Sequence, residues 1–284
     1  NQLLISSHTT ISVFGMLLSI PGAGLGVRGA AIATAISQGI GGVAIFGVAM
    51  QNPLVTLKGM KVKPEGKLLK NCFNVSLPLI GERIVMGCGY VVFSALVAGL
   101  GTLSVAAHSI ALTIEQAFYV PGYGIQNCSQ YTCWKCCGKK KTKLELESVV
   151  RSGLIVAVSI MTAMAIGLFC GAEVIICFFT KDEQVIVLGV SLLRIVAISE
   201  PMYAALIIYE GIFHGIGDTK MPFIFAILTM WGIRIGLTWI YIGMFGRDLK
   251  MVWFFMIMDN ISRCILLWGL YQRRKRSLLL LDEY

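Results

Sequence analysis

Apolar runs long enough to cross a bilayer recur seven times along the chain, each stopped by a turn carrying glycine, proline or a charged residue. A helix needs about 20 mostly apolar residues to span the hydrocarbon layer. The runs cover about Gly26–Met50, Asn71–Gly99, Ser104–Gln126, Ser148–Phe179, Val185–Phe213, Met221–Phe245 and Met251–Tyr271. None alternates as a barrel strand would. In lipid, every backbone N–H and C=O must find its partner inside the segment, so these runs predict helices. The expected fold class is all-α, a polytopic transmembrane helix bundle of about seven spans. Composition agrees: 56% of the 284 residues are hydrophobic and 14% charged, against about 25% charged in a soluble domain.

Charge distribution orients the bundle. A net charge of +9 raises the idea of a nucleic-acid partner, but the basic residues sit in short loops at helix ends. They cluster at 58–70, 135–151 and 273–276, whereas the loops at 6–25 and 100–103 have none. The positive-inside rule then puts 51–68, 127–147, 214–220 and the C-terminus in the cytoplasm. Seven spans satisfy this alternation without conflict. The expectation is a multi-pass protein of the cell inner (plasma) membrane with membrane lipid as a partner and no nucleic acid. Residues 1–5 read as the end of a helix whose start is missing, and 6–25 as a Ser/Thr/Gly-rich loop. Residues 51–68, with four lysines and Pro53 and Pro64, read as a basic linker between two halves. Residues 69–272 hold the remaining six spans, and 273–284 read as a cytoplasmic tail.

Carboxylates inside these spans are the candidate chemistry. A charged side chain at bilayer depth costs roughly 2.5–3.5 kcal/mol on insertion scales, so it is a functional-site candidate by default. Glu115 lies mid-span with no basic residue within a helical turn, and must be protonated, cation-bound or facing a water-filled cavity. Glu200 precedes Pro201, which removes a backbone donor. Glu82 follows Pro78 by one turn and adjoins Arg83. Tyr203 is placed to support a carboxylate. Arg234, Tyr209 and Glu210 are candidates for a substrate cavity or counter-ion role, Glu210 being nearer a helix end. Asp259 and Arg263 are four apart, the spacing of an intrahelical ion pair. Pro78, Pro121 and Pro201 are candidate helix bends. Several enzyme signatures are missing: no HExxH motif and no facing aspartates. No histidine pairs with Cys or Asp at metal-ligand spacing, and Cys128, Cys133, Cys136 and Cys137 supply one CxxC without a second pair. Neither a metal site nor a cofactor is expected.

Four phrases resemble the multidrug and toxic compound extrusion (MATE) family of antiporters: LGVRGAAIATAISQ (25–38), LGTLSVAAHSIAL (100–112), YVPGYGIQ (119–126) and GIFHGIGDTKMP (211–222). WGIRIGL (231–237) fits as well, and their order and spacing cover almost the whole chain. The resemblance implies about twelve helices in two six-helix lobes around a central cavity. Residues 1–50 would end the first lobe, and the remainder would be the linker and the entire second lobe, with the N-terminal lobe as the missing partner. It further implies an antiporter coupled to Na⁺ or H⁺ that exports small cationic amphiphilic compounds. Glu82 would fall on the seventh helix, Glu115 on the eighth, and Glu200 with Tyr203 on the tenth. Some members carry their seventh-helix acid about a turn further beyond the proline. The alternatives are a lipid-linked oligosaccharide flippase of the same superfamily, which would line its cavity with more cations, and a non-transporting membrane scaffold.

One stretch departs from the resemblance. After YVPGYGIQ the family continues with a small-residue helix end, whereas this chain reads NCSQYTCWKCCG (127–138). A divergent loop is one reading. A compensated frame shift is the other, because a permitted set of codons for 127–134, read one nucleotide later, encodes a small-residue sequence of the family type. Sequencing the gene across codons 120–140 checks this. The frame-shift reading predicts one insertion or deletion near Gln126 and a compensating one near Lys135.

Overall fold

The computed structural model describes residues 8–13, 16–21, 26–51, 66–138, 143–246 and 248–281. The chain forms two compact units, residues 1–65 and 66–284.

The first unit opens with an antiparallel pair, β1 (His8–Val13) and β2 (Met16–Pro21), with Val13 opposite Met16 and His8 opposite Pro21. This corrects the loop expected at 6–25. Thr9, Thr10, Ile11 and Val13 are β-branched and fit a pleated backbone better than a coil. The helix α1 (Gly26–Gln51) follows. Ile40, Val43 and Phe46 are each more than half exposed, an apolar surface suited to lipid or another helix. Most of the expected basic linker, 52–65, lies outside the described residues.

The second unit is all-helical among its described residues: α2 (Gly66–Ala98), α3 (Thr102–Gly138), α4 (Lys143–Cys177), α5 (Glu183–Ile216), α6 (Lys220–Met244) and α7 (Leu249–Leu281). Six of the seven helices are long and apolar enough to cross a membrane by composition, and α3, at 37 residues, exceeds the length required. Two boundaries move. The third span, expected to stop at Gln126, runs on to Gly138, because Ser129, Cys133 and Cys136 fall on one helical face and are buried there. The segment 127–138 is therefore helix and not a divergent loop. The tail expected from 273 continues α7 to Leu281.

Local chemistry sets the ends of α5. Asp182 caps its start, its Oδ1 accepting from the amides of Gln184 (2.9 Å) and Val185 (3.4 Å). At the other end Gly217 takes φ +87°. Its amide donates to the His214 carbonyl at 3.1 Å and the Asp218 amide to that of Phe213 at 3.0 Å, which is a Schellman closure. Arg274 of α7 pairs with Asp218 and lies over the Phe213 ring, tying α7 to this turn.

α5 is the hub. It packs on α3, α4 and α7, while α6 packs on α2 and α7. Lipid tails supply no hydrophobic drive between helices, so close approach depends on small residues. Gly211 and Gly215, spaced GxxxG on α5, provide it: a methyl on Gly215 would sit 2.6 Å from the Gln130 carbonyl oxygen of α3, and one on Gly211 would sit 3.1 Å from that of Gln126. One core cluster gathers Phe93, Leu168, Leu192 and Trp253, and a second gathers Tyr119, Met161, Phe213 and Cys264.

Because a backbone atom opposes Gly215, its neighbour cannot rotate away. Gly215→Val is expected to destabilise the helix pair by about 1–3 kcal/mol, the range for overpacking. Thermal unfolding in detergent reads this out. Gly243→Ala, with open space around the added methyl, serves as the neutral control.

Candidate functional site

Where α3 and α5 cross, two carboxylates are buried together. Glu200 is 1% exposed, and neither of its carboxylate oxygens has a hydrogen-bond partner among the described residues. Glu115 is 4% exposed and accepts a hydrogen bond from the Tyr119 hydroxyl one turn along α3. Each carboxylate lies within electrostatic reach of the other. A buried, unsolvated carboxylate is stable only with a proton or a cation. Proline sharpens the site. Pro201 removes the amide that would bond the Ala197 carbonyl, and Pro121 does the same to Ala117 in α3.

Three tyrosines connect this pair to open space. The Tyr119 ring stacks on Tyr203 with centroids 4.2 Å apart. The Tyr203 hydroxyl shares a 2.9 Å hydrogen bond with the Tyr123 hydroxyl. Tyr203 and Tyr123 then line a cavity of about 550 Å³, together with Glu82, Tyr90, Glu210, His214 and Arg263. The cavity lies between α2, α3, α5 and α7. In it Glu82 Oε2 stands 3.8 Å from His214 Nε2 of α5, across the helix interface rather than in a local pair with Arg83.

A second charged network supports the cavity wall. Asp259 is fully buried and meets Arg234 Nε at 3.0 Å and Arg263 Nη2 at 3.3 Å. Arg263 also reaches Glu210 Oε1 at 3.5 Å and donates to Thr229 Oγ1 at 3.3 Å. Arg234 reaches Asn260 Oδ1 at 3.4 Å and lies over the Tyr90 and Phe93 rings. Two guanidinium groups thus share one aspartate in the interior. Arg234 and Thr229 belong to a ten-residue π-helical stretch of α6, Leu228–Leu237. Such a stretch widens the helix locally and recurs at functional positions. The Thr238 hydroxyl closes it by donating to the Arg234 carbonyl at 2.5 Å.

The structure brings together Glu115, Glu200 and Tyr203, and puts Glu82 and Glu210 around the adjoining cavity. Tyr209 is a correction. It was expected at the substrate cavity, but it faces a different groove, packed 5.7 Å from the Tyr271 ring. Successive residues of a helix point about 100° apart, so Tyr209 and its neighbour Glu210 lie on adjoining faces of α5 and line different grooves. Pro78 lies within α2, and its side chain is outside the described residues. His108 is buried and accepts a 3.1 Å hydrogen bond from Trp253 at Nδ1, a packing role. Sequence reasoning missed Tyr119 and Tyr123. Their spacing of four and eight residues after Glu115 on a helix was the available signal.

The MatE protein-family model matches residues 78–240, more than half of the chain. The chain belongs to the MatE family. Curated MATE relatives include the probable multidrug resistance protein NorM of Thermotoga maritima, 26% identical over 243 residues, which cover 85% of this chain and 52% of that protein. The multidrug export protein MepA of Staphylococcus saprophyticus is 22% identical, over 94% of this chain and 61% of its own length. The chain therefore spans about half to three fifths of these relatives. Among solved structures, a MATE protein in its bent conformation superposes with a TM-score of 0.77 at 20% identity, over 92% of this chain and 58% of that one. A MOP-superfamily transporter from Pyrococcus furiosus, described as having a binding pocket of reversed polarity, superposes with a TM-score of 0.76 at 23% identity, over 90% and 57%. These likenesses establish the MATE helical fold in an integral membrane protein.

The MATE chain's shared aspartate yields a prediction. Asp259→Asn leaves two buried guanidinium groups without their common carboxylate, and breaking a buried pair costs about 3–5 kcal/mol. Asp182→Asn, at an exposed cap that asparagine also satisfies, is expected to cost under about 0.5 kcal/mol. Thermal or denaturant unfolding of the two variants checks the difference.

Proposed function

We propose that this chain is the second lobe, with the preceding helix, of a cation-coupled antiporter that exports small cationic amphiphilic compounds. The observation that carries this reading is Glu200: a carboxylate at 1% exposure without a hydrogen-bond partner among the described residues, next to Glu115 and a tyrosine-lined cavity. The names of the NorM and MepA relatives, a multidrug resistance and a multidrug export protein, support the substrate class. Glu115 and Glu200 bind the coupling ion, Na⁺ or H⁺. Glu82 and Tyr203 contribute at the cavity side, Glu210 holds its place through Arg263, and Arg234 is a structural counter-ion to Asp259. Pro121 and Pro201 supply the loosened backbone at which α3 and α5 bend. Substrate enters from the cytoplasm between this lobe and the N-terminal one, and the C-terminus lies on the cytoplasmic side of the cell membrane.

Coupling requires that the ion bind two conformations with different affinity, since a ligand indifferent to both shifts neither. The unsatisfied Glu200 provides that difference. It is stabilised by a proton or cation in the buried state and by water when the cavity opens over it. The reading also implies that residues 1–284 alone, with one wall of the cavity, do not transport.

The test is dye efflux from cells expressing the complete gene that contains this chain, under imposed Na⁺ or H⁺ gradients. Glu200→Gln and Glu115→Gln are each expected to lower gradient-driven efflux at least tenfold at equal membrane abundance. Wild-type-level efflux in both variants contradicts the assignment. Efflux absent from well-expressed wild type, across several cationic dyes, contradicts the antiporter reading itself.

A further inference from the structure

A groove of about 790 Å³ lies between α4, α5 and α7 and shares no lining residue with the cavity at Glu82 and Tyr203. Its wall is graded from polar to apolar. Ser148 and Arg151 of α4 form one end with Tyr271 and Gln272 of α7. Leu154 and Ile155, a turn further along α4, form the other, and Ile155 is 56% exposed, so this end opens outward and not into packed core.

These groups fit an amphiphile with an anionic head. The Arg151 guanidinium presents the donor fork that matches a phosphate. The Ser148 and Tyr271 hydroxyls and the Gln272 amide are neutral donors to the remaining oxygens. Glu147 borders the same end. Its negative charge offsets the arginine, which favours a phosphodiester with one charge over a phosphate dianion. The exposed Arg273 follows Gln272 directly on α7 and adds a second positive charge to attract an anionic headgroup. Leu154 and Ile155 then offer an apolar track for an acyl chain. Bilayer lipid supplies both halves of such a ligand in one molecule.

We infer that this groove is a phospholipid-binding site, with the phosphodiester on Arg151 and Tyr271 and one acyl chain along Leu154 and Ile155. Tyr209 forms its floor, and Glu210 on the adjoining face of α5 lines the other cavity. A bound lipid therefore braces α5 from behind the candidate transport cavity.

The test is thermal unfolding of the purified chain in detergent, with phosphatidylglycerol, phosphate-free diacylglycerol or inorganic phosphate added. Phosphatidylglycerol at about a hundredfold excess over its Kd is expected to raise the wild-type Tm by about 5 °C. The rise disappears in Arg151→Gln, is partly kept in Arg151→Lys and shrinks in Tyr271→Phe, each variant being compared with its own lipid-free Tm. Native mass spectrometry is expected to show one fewer retained phospholipid per chain in Arg151→Gln. An equal rise in Arg151→Gln and wild type, or an equal rise with diacylglycerol, overturns the assignment of the phosphate to Arg151. A full rise with inorganic phosphate alone overturns the lipid as its source, and no rise with any addition overturns the site.

Discussion

A carboxylate with no hydrogen-bond donor among the described residues, at 1% exposure in a membrane-spanning helix, is the constraint around which the second unit is arranged. Glu200 has no ion pair with an arginine among the described residues. Arg234 and Arg263 are held by Asp259, and Arg194 is exposed and lies over the Phe169 ring at 5.6 Å. The interior thus separates its charges into two classes. One network is internally balanced and fixes the contact of α6 with α7. The other, Glu115 with Glu200, receives one hydroxyl among the described residues, from Tyr119 to Glu115, and in the proposed function its balance comes from a mobile ion or proton.

That division has a structural cause. α5 lies against α3 through Gly211 and Gly215, so the two helices approach closely at one end. Further along the same pair of helices, Tyr119 stacks on Tyr203 and meets Tyr123 edge-on, and the Tyr123 and Tyr203 hydroxyls share a hydrogen bond, so the three lie between the carboxylates and the cavity. Aromatic rings with hydroxyl tips can pack in an apolar wall and still present a polar end. The tyrosines therefore close the site to bulk solvent while leaving hydroxyls at the cavity surface. Pro201 and Pro121 withdraw one backbone amide each beside these tyrosines.

Much of this was legible in the sequence. Length and apolarity of the runs set the all-helical bundle of the second unit. Glu115, Glu200 and Tyr203 could be singled out because charge inside a 20-residue apolar run is costly. Pairing across helices was not legible. Asp259 reads as the partner of Arg263 four residues on, and nothing in the order of residues says that Arg234, 25 positions earlier, takes its other side. Tyr209 was misplaced because it adjoins Glu210 in sequence, whereas which face of α5 meets the cavity depends on how α5 packs against its neighbours. The extension of α3 to Gly138 was hidden by polar residues that are buried only because α4 and α5 supply glycines opposite Ser129 and Cys133. The β1–β2 pair was hidden in a stretch whose serines, threonines and glycines read equally as loop.

The most direct measurement is ion release on substrate binding. A fluorescent cationic dye is added to the purified complete transporter in weakly buffered detergent solution, and the appearance of H⁺ or Na⁺ is followed for wild type and Glu200→Gln. If Glu200 holds the coupling ion, dye binding releases close to one ion from the wild type and markedly less from the variant, although the variant still binds dye. Equal release from both proteins would contradict the account and make Glu200 a buried structural group.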